Sequence, residues 1–175
     1  MKYLIFLVSL IIILSCDKRA FKPTIKVVFL KGSIDTVIPI NCQKINNTNG
    51  VVYQDTVIDN GLILNQILQQ TKLLKAVKKT NNIICDIRVK CILYRTERDS
   101  LSICLSQNNC IVVNDKLMQN NDLLNFIIKK NIGYYNYFSL DDLKYFDELK
   151  GKNISDSYMD LRRKKASNGI PLPPR

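Results

Sequence analysis

The sequence predicts an α+β domain: an antiparallel sheet, made of an N-terminal hairpin and a three-stranded meander, with two or three helices packed on one face. Three observations predict it. Residues 83–94 alternate apolar and polar side chains with the period of a strand. Residues 59–74 and 122–130 instead repeat apolar side chains with the period of a helix. Polar turn clusters separate the segments in the order ββ–α–βββ–α–α, which places helices against an antiparallel sheet.

The first segment stands outside that domain. Lys2 precedes an uncharged run from Tyr3 to Ser15, which Asp17, Lys18 and Arg19 end. As a helix this run spans roughly 20 Å, short of the ~30 Å hydrocarbon core of a bilayer, so its proportions are those of an export signal. Ile13, Leu14, Ser15 and Cys16 resemble the lipobox of bacterial lipoproteins: a branched aliphatic residue, a tolerant position, a small residue, then cysteine. The resemblance covers about a tenth of the chain. It implies cleavage after Ser15, diacylglyceryl transfer to the Cys16 thiol and acylation of the new amine, so that residues 1–15 are signal and 16–23 a lipid-anchored tether. Two or three acyl chains hold stably where one is marginal. The competing reading is an uncleaved signal anchor, since Lys18, Arg19 and Lys22 mildly oppose translocation.

Residues 24–150 form the predicted domain. Ile25 to Leu30 is an apolar run, Lys31-Gly32-Ser33 breaks it, and Thr36 to Ile40 continues as the second strand of a hairpin, with Pro39 marking it as an edge. Asn46 to Gly50 is a polar loop ending in an Asn-Gly turn signal. Asp59 or Asn60 caps a helix whose inner stripe is Leu64, Ile67, Leu68, Thr71 and Leu74, with Lys72, Lys75 and Lys79 on the solvated side. In residues 83–94, Ile83, Cys85, Ile87, Val89, Cys91 and Leu93 share one face while Asp86, Arg88 and Lys90 take the other. Thr96 to Asp99 turns the chain into Leu101, Ile103 and Leu105, and residues 110–114 complete the meander. A second helix, 122–130, points Leu123, Leu124, Ile127 and Ile128 inward and stops at Gly133. Ser139 and Asp142 open a third, lined by Leu140, Leu143, Phe146 and Leu149. Residues 151–175 read as a flexible basic tail.

Composition narrows the chemistry. The chain has no His, hence neither the usual general base near neutral pH nor the commonest zinc ligand. Its formal charge of +11 falls by one when Lys2 leaves with the signal. That excess would suit nucleic acid, acidic polymers or anionic lipid, but export removes ordinary access to nucleic acid, and a solvated basic surface accounts for it equally.

With Cys16 lipidated, five cysteines remain: Cys42, Cys85, Cys91, Cys104 and Cys110. An odd number leaves at least one unpaired within the monomer. Cys85 and Cys91 read as small core residues, and without His neither thiol has a base to activate it. Facing the apolar sides of the strands pairs Leu93 with Leu101 and Cys91 with Ile103, then Leu101 with Val113 and Ile103 with Ile111. That register sets Cys104 opposite Cys110 on the outward face, a candidate disulfide.

Tyr134, Tyr135, Tyr137 and Phe138 concentrate aromatic area near a loop and form the best candidate contact patch; the alternative is that they plug the core between two helices. Asp141, Asp142, Asp147 and Glu148 sit at the start and outer side of a helix, where capping and solvation explain them. No phosphate loop, nucleophile elbow, zinc-protease or calcium-loop motif occurs, and no catalytic residue, cofactor or metal is assigned. The expectation is a lipid-anchored, non-catalytic binding module of the bacterial cell envelope, held to an inner or outer bilayer through acylated Cys16. Its partner would be an envelope protein, a cell-wall polymer or a toxin that it neutralises. The alternatives are an envelope hydrolase and a structural or assembly component.

Overall fold

The structure is a computed structural model that describes residues 21–32, 38–45, 53–78 and 84–152. The signal, Cys16 and most of the tether, the Asn46–Gly50 loop, Lys79, Ile83 and the basic tail beyond Lys152 lie outside the described residues. Within them the chain is α+β: six antiparallel strands and three α-helices. The strands are β1 (Thr24–Leu30), β2 (Tyr53–Ile58), β3 (Ile87–Tyr94), β4 (Ser100–Ser106), β5 (Ile111–Val113) and β6 (Lys116–Met118), in the sheet order β2-β1-β3-β4-β5-β6. The helices are α1 (Gly61–Leu73), α2 (Asp122–Asn131) and α3 (Leu140–Leu143), with short 3-10 turns at Tyr134–Tyr137 and Asp147–Leu149.

The partner of β1 corrects the expected hairpin. β1 pairs on one side with β2, Ile25 opposite Ile58 through Leu30 opposite Tyr53, and on the other with β3. Both its edges are therefore occupied, and residues 38–40 are not its neighbour; Thr36 and Val37 lie outside the described residues. Ile38 and Pro39 are exposed, while Ile40 crosses onto the outer face of the sheet.

The meander has four strands rather than three. Its first hairpin has the expected register, Leu93 opposite Leu101 and Cys91 opposite Ile103. The second is offset by two residues from the expected pairing, with Ile103 opposite Val113 and Leu105 opposite Ile111. Asn114 and Asp115, both at positive φ (45° and 62°), then form a two-residue turn into β6. Positive φ at both central positions marks the turn type whose twist matches the flanking strands, and Asn and Asp tolerate it.

Strict alternation in β3 breaks at a bulge between Ile87 and Val89, where Arg88 is the extra residue. Val89, Cys91 and Leu93 enter the main core under the helices, but Ile87 joins a second cluster on the opposite face. Arg88, expected on the polar face of the strand, is only 5% exposed and bonds Asp86.

The helices follow their caps. The Asn60 side chain accepts from the Leu62 and Ile63 amides, and α1 buries Leu64 and Ile67, with Leu68 and Leu74 packed beside them. In α2, capped by Asn121, Leu124, Ile127 and Ile128 are buried but Leu123 is exposed. Gly133, at φ 68°, takes the left-handed conformation that ends it. Ser139 and Asp142 form a capping box, yet α3 stops after one turn. The chain then buries both Phe146 and Glu148; residues two apart lie on opposite sides of an α-helix, so a continuous helix could not deliver both to the core.

Candidate functional site

The helices and 3-10 turns cover one face of the sheet, where Phe29, Val89, Cys91, Leu93 and Ile103 join their apolar stripes in the main core. The other face is covered over only part of its width. There residues 38–45 form a strap in which Ile40, Cys42 and Ile45 bury Leu30, Ile87 and Cys104. The Asn41 side chain accepts from the Gln43 and Lys44 amides and shapes the strap's turn. The Ile87 amide donates to the Ile40 carbonyl at 2.7 Å, and the Ile40 amide to Asp86 Oδ1 at 3.0 Å.

Two disulfides fasten this half. Cys42 is bonded to Cys104 on β4, and Cys85 to Cys110, each with Cα atoms 5.8 Å apart. The expected Cys104–Cys110 pair is thereby corrected. The two-residue offset puts Val112, not Cys110, opposite Cys104, and the strap carries Cys42 to it from 62 residues away in the chain. Cys85, read as a core residue, is the partner of Cys110. Cys91 is the free cysteine among the described residues; it is fully buried, and burial pushes its thiol pKa far up, so it stays protonated.

Beyond the strap, no described residue covers the outer face over β2, β1 and β3. The registers make its rows explicit: Val57–Lys26–Ile92–Ser102, and beside it Asp55–Val28–Lys90–Cys104. Lys26 and Lys90 are therefore diagonal neighbours on a checkerboard with Val28 and Ile92. These side chains, with Asp55 and Val57, line a cleft of about 540 Å³, within the range of ligand-binding clefts. Lys26 Nζ lies 5.5 Å from the centre of the Tyr94 ring, and Val57 is 56% exposed.

The expected aromatic patch is not at this surface. Tyr134, Tyr135 and Phe138 are buried and Tyr137 half-buried. Tyr134 meets Phe29 of the sheet edge-on at 6.0 Å, and Phe138 and Phe146 stack edge-on at 5.0 Å. Tyr137 donates its hydroxyl to Gln54 on β2. The tight 3-10 turn folds these rings between sheet and helices, so they are core. Burial, reinforced by the nearby Glu148 carboxylate, drives the Tyr135 hydroxyl pKa far up; burial does the same to Tyr134.

Sequence reasoning missed the buried ion pair. Lys129 Nζ lies 2.7 Å from Glu148 Oε1, both side chains wholly buried, and Tyr135 donates to the same carboxylate oxygen at 3.1 Å. Glu148 is thus an inward group, not one on the outer side of a helix. Desolvation lowers the Lys129 pKa, partly offset by Glu148. Asp141 and Asp147, by contrast, are exposed and paired with Lys144 and Lys150. Among the described residues no three of Cys, Asp and Glu converge as a metal site would need. No helix there is long and apolar enough to cross a membrane.

Comparison with protein-family models, with curated proteins and with solved structures gives no match.

Proposed function

We propose that this chain is a lipid-anchored module of the bacterial cell envelope that binds a partner through the open face of its sheet and performs no catalysis. The observation that carries the reading is the one-sided layering among the described residues: helices cover one sheet face, and the other, pinned at one end by the strap, is left open by them, with an apolar floor and two ammonium groups. Such a cleft fits recognition. Its lining offers two lysines, one aspartate, Tyr53, Thr56 and aliphatic side chains, and the free thiol of Cys91 is sealed in the core.

Two further features support the compartment. Disulfides persist in oxidising, exported environments, and two of them hold the strap and the start of β3. The lipobox resemblance at Ile13–Cys16 supplies the anchor. The chain from Cys16 to Thr24 can span at most about 28 Å, so the sheet works close to a bilayer.

The test has two arms. Cys16→Ala should release the protein from membranes or leave its signal uncleaved; normal processing and retention would defeat the anchor. A photo-crosslinking residue placed at Ile92, in the open face, should capture a partner in intact membranes that the same probe at Leu123, on the exposed side of α2, does not. Equal capture at the two positions, or none at Ile92, would defeat the binding face.

A further inference from the structure

Three charged side chains line the outer-face cleft: Lys26, Lys90 and Asp55. Among the described residues none of them is in an ion pair. The registers fix how they stand. Val28 is opposite Asp55 on β2 and opposite Lys90 on β3, so these two charges flank it. Two strand spacings, about 10 Å, separate them at the backbone. Lys26 is opposite Val57 and Ile92, which makes it a diagonal neighbour of both charges, about 7–8 Å from each. Lysine stems are long and mobile enough to carry both ammonium groups over the floor between them. The contact of Lys26 with the Tyr94 ring, 5.5 Å to its centre, is weak at an exposed site, and an anion displaces it. Val28, Val57 and Ile92 are the floor, and Lys26, Asp55 and Val57 are exposed, so a ligand reaches them from solvent.

This arrangement selects by charge. A purely anionic ligand gains two ammonium groups but meets the Asp55 carboxylate, and a cation meets two lysines for its single carboxylate. A zwitterion satisfies all three: its anionic group presents one oxygen to each lysine, and its ammonium bonds Asp55. The apolar floor calls for an aliphatic continuation of the same molecule.

We propose that the cleft binds the headgroup of a phosphoethanolamine lipid. The phosphodiester lies between Lys26 and Lys90, the primary ammonium meets Asp55, and the start of the acyl chains covers Val28, Val57 and Ile92. The proposal deepens the binding-face reading and rests on it. Lys26 is the third residue of β1, at the end that the tether enters, and Cys16 to Thr24 spans at most about 28 Å. The cleft is thus within reach of the headgroups of the bilayer that holds the anchor.

The full chain, in micelles of a non-ionic detergent, is titrated with short-chain lipids bearing phosphoethanolamine, phosphocholine or phosphoglycerol, and with free phosphoethanolamine. Calorimetry gives the affinity, and methyl resonances of Val28, Val57 and Ile92 give the place. The phosphoethanolamine lipid should bind most tightly and shift all three methyl sets. Lys90→Gln should weaken it about fivefold, whereas Lys72→Gln, on α1 away from the cleft, should leave it unchanged. Asp55→Asn should weaken the phosphoethanolamine lipid and strengthen the phosphoglycerol lipid, a reversal that general damage to the fold does not produce. Unchanged melting midpoints confirm that each variant is folded.

Phosphoglycerol binding the parent as tightly as phosphoethanolamine would overturn the role of the ammonium and Asp55. Phosphocholine binding equally would overturn a hydrogen-bonded primary ammonium. Free phosphoethanolamine binding as well as its lipid would overturn the bilayer as the source. Equal weakening by Lys72→Gln and Lys90→Gln would reduce the effect to net charge and overturn the site. If the probe at Ile92 captures a protein while no lipid moves the three methyl sets, the binding face stands and the headgroup site falls. If Cys16→Ala stays on the membrane, the anchor falls while the micelle titration still decides the headgroup.

Discussion

Lys129 and Glu148 form an ion pair, 2.7 Å from Nζ to Oε1, in which neither side chain retains any exposed surface. The lysine comes from α2 and the glutamate from the last 3-10 turn, so the pair ties the end of the described chain to the helix layer. Tyr135 donates to the same Oε1, and the ammonium lies 5.3 Å from the Phe146 ring centre.

Removing one partner strands the other charge in the core. Lys129→Met or Glu148→Leu alone should each cost about 3–5 kcal/mol in denaturant unfolding, whereas the double variant should be within about 1–2 kcal/mol of the parent or more stable. Single variants that unfold like the parent would show that the pair is open to water.

Tyr134 gives a prediction with a pH signature. Its hydroxyl is buried with no hydrogen-bond partner among the described residues, so Tyr134→Phe leaves no protein group unpaired and should change stability by less than about 1 kcal/mol at pH 7. Burial raises the tyrosine's folded pKa above its ordinary value of 10.0. The unfolded chain therefore loses this proton first, and stability falls as pH rises above 10. The Phe variant should escape that loss and gain on the parent by up to about 1.4 kcal/mol per pH unit in that range. Both proteins should carry Cys91→Ala, so that no thiolate reshuffles the disulfides. Parallel stability curves from pH 9 to 11 would refute the burial of this hydroxyl.

Peptide mapping without reduction should recover Cys42 linked to Cys104 and Cys85 linked to Cys110. Loop-closure entropy assigns the longer link, 62 residues apart, about 4 kcal/mol of stability. A Cys42→Ala/Cys104→Ala variant should lose a comparable amount and expose the strap to protease. A recovered Cys104–Cys110 peptide would return the second hairpin to the register that the apolar pattern alone predicts.

Val89 tests the layering itself. It is fully buried in the main core, across β3 from Phe29 on one side and Leu105 on the other. Val89→Asp places an unpaired charge there and should cost several kcal/mol, whereas Val57→Asp on the open face should shift the melting midpoint little. Equal melting of the two variants would mean that the inner and outer faces have been exchanged.

What could be read from the sequence was local and periodic. A cap at Asp59 or Asn60, the stripe of α1, the Ser139–Asp142 capping box and the stop at Gly133 each depend on residues a few positions apart in one helix. The hairpin setting Leu93 against Leu101 was legible for the same reason: its turn, Thr96 to Asp99, is short. The second hairpin shows the limit. Its strands were found with the correct faces, but a slip of two residues leaves every side chain on the same side of a sheet. Alternation therefore could not distinguish Cys104 opposite Cys110 from Cys104 opposite Val112. The remaining features came from contacts distant in sequence. Cys42 reaches Cys104 only because the strap folds across the outer face, β1 takes β2 instead of residues 36–40 because its two edges compete for partners across the whole chain, and Glu148 is buried because Lys129 waits for it. Periodicity determines which way a side chain points; which group it meets is decided by closing loops of tens of residues, and no local pattern encodes that choice.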